Sequence, residues 1–142
     1  MKGIADTGFL VAFGNRRDRH HGWAVALARG IDSPLLTCEA VLAETAFHLQ
    51  SSSLVLAMVE SGLVRVSFDC NANLARLAEL AERYRDRRPD LADLCLIRMS
   101  ELNPDHVVFT VDRDDFSIYR RNRRDVIPAV FPPRKGQRGR AS

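Results

Sequence analysis

The sequence predicts an α/β fold with a mainly parallel central sheet flanked by helices. Short apolar runs alternate with helically spaced apolar residues along most of the chain. Acids stand directly after two of those runs, where such sheets collect ligands. At 142 residues, 46% hydrophobic and 27% charged, the chain fits one domain with its own core, which excludes wholesale disorder and fibrous architectures.

Gly3 to Ala5 reads as a buried strand ending at Asp6, and Phe9 to Phe13 as one or two helical turns. The polar loop Asn15 to Arg19 leads to a helix through Trp23 and Leu27 that Gly30 closes. Pro34 to Thr37 is a second strand, with Thr37 or its neighbour capping a helix that carries Val41, Leu42, Glu44, Thr45 and Leu49. Ser51 to Glu60 forms a helix stopped by Gly62, and Leu63 to Phe68 alternates as a strand does. Asn71 to Arg85 is amphipathic and helical, and Arg85 to Pro89 breaks it. Asp90 opens a helix to about Leu102, Val107 to Thr110 is an apolar strand, and Val126 to Phe131 is a last edge strand ended by Pro132 and Pro133. One domain over 1–133 and a basic, disordered tail over 134–142 are the expected divisions.

Charge is unevenly distributed. From Arg120 onward eight basic residues face one acid, a net of +7, so the first 119 residues carry −4. An acidic body suits cations, and a basic end suits polyanions or only solubility. Cys38, Cys70 and Cys95 are odd in number and show no CxxC spacing, which argues against disulfides and a zinc knuckle. An acid at position 6 argues against a secretory signal, and the longest uncharged run, Thr45 to Val59, is too short and polar to span a bilayer. A cytoplasmic protein without a membrane segment is expected.

The acids carry the chemistry. Asp6 follows an apolar strand, where a carboxylate must stay wet, accept hydrogen bonds or meet a cation; capping the next helix is its ordinary alternative. Glu44 lies on a helix apolar around most of its circumference, or else points to solvent. Asp90 and Asp93 share one face of a first helical turn; a cap explains Asp90 better than Asp93, whose helix carries Leu94, Leu96 and Ile97. Asp112 repeats the position of Asp6, and Asp114 or Asp115 is expected to cap the segment beginning at Phe116. Four convergent carboxylates would be driven toward protonation unless a divalent cation neutralised them, and oxygen ligands suit Mg²⁺ or Mn²⁺. His20, His21, His48 and His106 read as structural or surface residues, and no GxSxG or GxxxxGK motif occurs.

Asp6-Thr7-Gly8, Thr37 to Glu44 (TCEAVLAE), Tyr84 to Asp93 (YRDRRPDLAD) and Thr110 to Phe116 (TVDRDDF) together resemble a PIN domain of the VapC-type toxins of bacterial toxin–antitoxin pairs. The resemblance extends to Asp18 through Trp23 and spans Met1 to about Phe131. It implies a PIN-like three-layer fold, a metal-dependent endoribonuclease using Mg²⁺ or Mn²⁺, an RNA substrate, a VapB-like antitoxin and a homodimer. By position Asp6, Glu44, Asp93 and Asp112 match the acidic quartet. Asp6 and Asp93 would bind metal directly, Glu44, Asp90 and Asp112 would give outer contacts or hold a second metal, and Thr7 and Thr110 would place hydroxyls beside them. The departures are Leu94 and Arg98, where the resemblance implies small residues. Arg113, Arg120, Arg121, Arg123 and Arg124 are surface arginines first and phosphate contacts second.

The competing reading is a nonenzymatic RNA-binding or partner-binding module that uses the basic C-terminal segment, with the acids as caps. An aspartyl phosphotransferase is disfavoured because Gly8 stands where that chemistry wants a second acid.

Overall fold

A computed structural model describes residues 1–134. The tail expected over 134–142 therefore lies, beyond Arg134, outside the described residues. The elements are β1 (Gly3–Ala5), α1 (Thr7–Gly14), α2 (His21–Ala28), β2 (Leu35–Thr37), α3 (Glu39–Leu49), α4 (Ser52–Glu60), β3 (Val64–Val66) and α5 (Leu74–Arg83). They continue as α6 (Leu91–Leu102), β4 (Val107–Phe109), α7 (Arg113–Ile118), β5 (Arg120–Arg121), β6 (Asp125–Val126) and β7 (Ala129–Val130).

Five strands form one sheet in the order β3-β2-β1-β4-β7, and every pairing is parallel. Parallel strands are covered on both faces, which explains why they read as continuous apolar runs; Ile4, Ala5, Leu35, Val108 and Phe109 have no exposed surface. Helix α1 packs against α2 and α3, and α3 against α4; α5 packs against α6, which lies on β1 and β4. Gly3 is required where β1 is clasped by its neighbours, since a Cβ there would stand 2.7 Å from Leu35 Cδ2 and 2.8 Å from Phe109 Cε1. Phe9 meets Trp23 and Phe109 edge to face in the core.

The expected architecture stands, with three local corrections. Val126 to Phe131 is not one strand: β6 pairs antiparallel with β5, and only β7 joins the main sheet, beside β4. Pro128 separates them because it has no N–H to donate, although its carbonyl accepts from the Val108 N–H at 2.9 Å. Thr37 does not cap α3; its buried hydroxyl donates to the Ala5 carbonyl at 3.1 Å, and Cys38 takes the N-cap position. Asn71 to Arg85 is one tight 3₁₀ turn, Asn71–Asn73, before α5.

From β1 the chain order runs outward both ways, to β2 and β3 on one side and to β4 and β7 on the other. The crevice beyond the carboxyl ends of β1 and β4 is thus a topological switch point, the usual ligand position in open α/β sheets.

Candidate active site

Residues at those strand ends face one another because the register pairs Ala5 with Phe109. Asp6 leaves β1 one residue later, and Thr110 leaves β4 likewise. Gly8 lets the two turns close up, since a Cβ there would collide with Val111 Cγ2. The result is a cavity of about 420 Å³ whose wall includes Asp6, Thr7, Glu44, Asp90, Asp93 and Asp112. Thr110 stands behind it, hydrogen-bonded to Asp6.

Three of these acids are also helix caps, so the ordinary reading and the convergent one hold together. Asp6 Oδ1 accepts from the Thr7 N–H at 2.7 Å, Asp90 Oδ1 from the Asp93 N–H at 2.9 Å, and Asp112 Oδ1 from the Asp115 N–H at 3.0 Å. The amino ends of α1 and α6 therefore point at the cavity, a placement that favours negative charge there. Asp112, not Asp114 or Asp115, caps α7, which begins three residues earlier than expected. Asp115 instead turns into the cavity wall.

Hydroxyl groups fix the carboxylates. Thr110 donates to Asp6 Oδ2 at 2.6 Å, Thr7 to Glu44 Oε1 at 2.8 Å, and Tyr119 to Asp93 Oδ2 at 2.9 Å. Tyr119 is itself locked by edge-to-face contacts with Tyr84 and Phe116. Arg87 pairs with Asp115 at 2.6 Å on the rim.

The electrostatics follow from crowding like charges in a half-buried space. Burial, against the hydrogen bonds from Thr110 and Thr7, pushes the Asp6 carboxyl up to about 6. Burial together with the charge of Asp90 pushes Asp93 up to about 8. Glu44 and Asp112 are also raised, chiefly by burial, with Asp90 adding to the first and Asp115 to the second. Burial also works to raise Asp115, but its Arg87 partner outweighs it and holds the group low.

One oxygen each from Asp93, Asp112 and Asp115 lies within 4.8 Å of the other two. This oxygen-only donor set fits a hard divalent cation, and its raised carboxyls are what such a cation would discharge. Asp6 is not in that trio; its two oxygens are held by Thr7 and Thr110 beside it.

Several lining residues had weak sequence signals. Asp115 is one of three neighbouring acids, Tyr119 lies outside every motif, and His20, His48, Arg87 and Arg88 line the cavity although the histidines read as structural or surface groups. His48 is one helical turn beyond Glu44, which is the signal that places it here. None of Arg113, Arg120, Arg121, Arg123 and Arg124 lines the cavity. Arg113 donates to the Pro132 carbonyl and lies over Phe131, Arg120 donates to the Ser117, Ile118 and Tyr119 carbonyls, and Arg121 to those of Ser100 and Pro104. Leu94 and Arg98 face away: Leu94 is buried in the core, and Arg98 donates to Asn73 Oδ1 and Glu101.

The model of the PIN domain matches residues 4–122. A search of curated proteins finds none similar in sequence. Among solved structures the fold is similar to VapC20 of Mycobacterium tuberculosis, described as a sarcin–ricin-loop-cleaving toxin. The TM-score is 0.67 at 22% identity, covering 78% of this chain and 90% of that one. The match over residues 4–122 contains every strand-end acid described above, and with it this chain belongs to the PIN domain family.

Proposed function

We propose that this chain is a Mg²⁺- or Mn²⁺-dependent endoribonuclease of the VapC type that hydrolyses RNA phosphodiester bonds and is held in check by a VapB-like antitoxin. PIN-family proteins are nucleases, and the observation that carries the reading here is the convergence of Asp6, Glu44, Asp93, Asp112 and Asp115 from separate segments on one cavity. Asp93, Asp112 and Asp115 would hold the cation, with Asp6 beside them and Asp90 behind Asp93. Bound there, a divalent ion supplies charge neutralisation for the scissile phosphate and acidifies water.

The protein's own groups do the rest. Glu44, anchored by Thr7 and raised toward neutrality, is suited to take a proton from the attacking water. Thr110 and Tyr119 keep Asp6 and Asp93 from rotating away when RNA arrives. Arg87 and Arg88 on the rim supply positive charge for phosphates flanking the cleaved bond. The apolar surface at Phe47, Leu54 and Leu56 on α3 and α4 supports cover by an antitoxin or a second copy in a homodimer. Among the described residues no helix is long and apolar enough to cross a membrane; we place the activity in the cytoplasm with its RNA. We assign the nuclease to residues 1–133 and leave 134–142 as a basic appendage.

The test is cleavage of RNA by the purified chain with Mg²⁺ or with EDTA, alongside Asp6→Asn and Asp93→Asn. Cleavage that needs the cation and is lost in both variants is expected; cleavage retained in chelator counts against the reading.

A further inference from the structure

Cys38, Cys70 and Cys95 come from three distant segments, yet the fold gathers them. Cys38 is the N-cap of α3, Cys95 lies within α6, and Cys70 precedes the 3₁₀ turn at Asn71–Asn73. All three thiols are free. Together with Glu39, Phe68 and Leu91 they line a second cavity, of about 410 Å³, whose wall shares no residue with that of the acidic one. Cys38 and Cys95 are each 2% exposed, and Cys70 is half-buried at the outer side.

The Cys95 thiol hydrogen-bonds to both Cys38 and Cys70, so it stands between them. The Ala40 and Val41 N–H groups at the amino end of α3 lie against the Cys38 sulfur. Contact with Cys95, joined by those N–H groups, holds the Cys38 thiol below its ordinary range despite burial. A buried thiol favoured as thiolate, a second thiol touching it, and a cavity open to small molecules are the parts of an oxidisable pair.

We infer that Cys38 and Cys95 form a peroxide-sensitive dithiol site that closes into an intramolecular disulfide. In the first step the Cys38 sulfur attacks a peroxide oxygen, the O–O bond breaks, and water leaves once the departing oxygen is protonated, giving a sulfenic acid on Cys38. In the second the Cys95 sulfur attacks that of Cys38; the S–O bond breaks and the hydroxyl leaves with the Cys95 proton as a second water. Two thiols are oxidised and one peroxide is reduced. The link would tie α3, which bears Glu44, to α6, which bears Asp93. The inference stands independently of the nuclease reading.

The reduced full chain is treated with hydrogen peroxide, quenched with catalase, alkylated with iodoacetamide in denaturant and peptide-mapped. The Cys38 and Cys95 peptides should leave the alkylated pool together and reappear as one linked species two hydrogens lighter than their sum. Dithiothreitol should reverse the change, and Cys70→Ser should keep it. The inference is overturned if Cys38 and Cys95 stay alkylatable at peroxide doses that oxidise Cys70, or if the link joins Cys70 to either of them. The wild-type map decides this even if a variant fails to fold.

Discussion

Asp93 concentrates the chemistry at the level of single residues. It is raised to about 8 by burial and by Asp90, and it is steadied by one hydroxyl, that of Tyr119. Tyr119→Phe removes that donor while keeping the aromatic contacts. It should lower cation affinity or activity by roughly 10–100-fold, the usual cost of losing a group that orients a metal-binding carboxylate. Calorimetric titration with Mn²⁺ and single-turnover cleavage would measure it; an unchanged affinity and rate would show that Tyr119 only packs. The four acids Asp6, Glu44, Asp93 and Asp112 were legible in the sequence because each is out of place for a solvated residue, after an apolar strand or on an apolar helix. Asp115 was not, because its direction depends on where α7 starts. That start is set by the Asp112 cap, a fact of three dimensions.

Among the elements, the strands and their parallel order followed from apolar runs alternating with helices, and the switch point between β1 and β4 followed from the same pattern. The C-terminal arginines misled for a physical reason: a guanidinium satisfies several carbonyls at once, and Arg120 and Arg121 do so along the β5 segment. The same economy holds α5, α6 and that segment together. Glu101 is 3% exposed at its side chain, pairs with Arg76 at 2.6 Å and Arg98 at 3.2 Å, and accepts from the Asn122 N–H. Glu101→Ala leaves these donors without their acceptor and should cost about 3 kcal/mol, read by urea denaturation. Because Glu101 is held below its ordinary range, against its burial, by Arg76 first and then by the Asn122 N–H and Arg98, this contribution should be present at neutral pH and fade only as acid protonates it.

For the molecule as a whole, Asp6 and Asp93 act in the opposite sense. Their folded-state values lie above the ordinary carboxylate value, so between about pH 4 and 8 the native chain holds protons that the unfolded chain has released. Stability of the metal-free protein should therefore fall as pH rises through that window. Thermal melts in EDTA should show the midpoint dropping from about pH 5 to about pH 8, and Asp93→Asn should flatten the drop. Mg²⁺ should raise the midpoint more at the upper end, where the carboxylates are free to bind it. A melt that rises steadily with pH in EDTA would mean that the acids are not crowded as described.

The central claim is that these acids share one pocket whose repulsion a hard cation relieves. Its most direct test is calorimetric titration of the wild-type chain and Asp93→Asn with Mn²⁺ near neutral pH, in two buffers of different ionisation heat. Wild type should bind Mn²⁺ and release protons as it does so, and the variant should lose most of that binding. Equal binding by both proteins, or binding by wild type with no proton released, would contradict it.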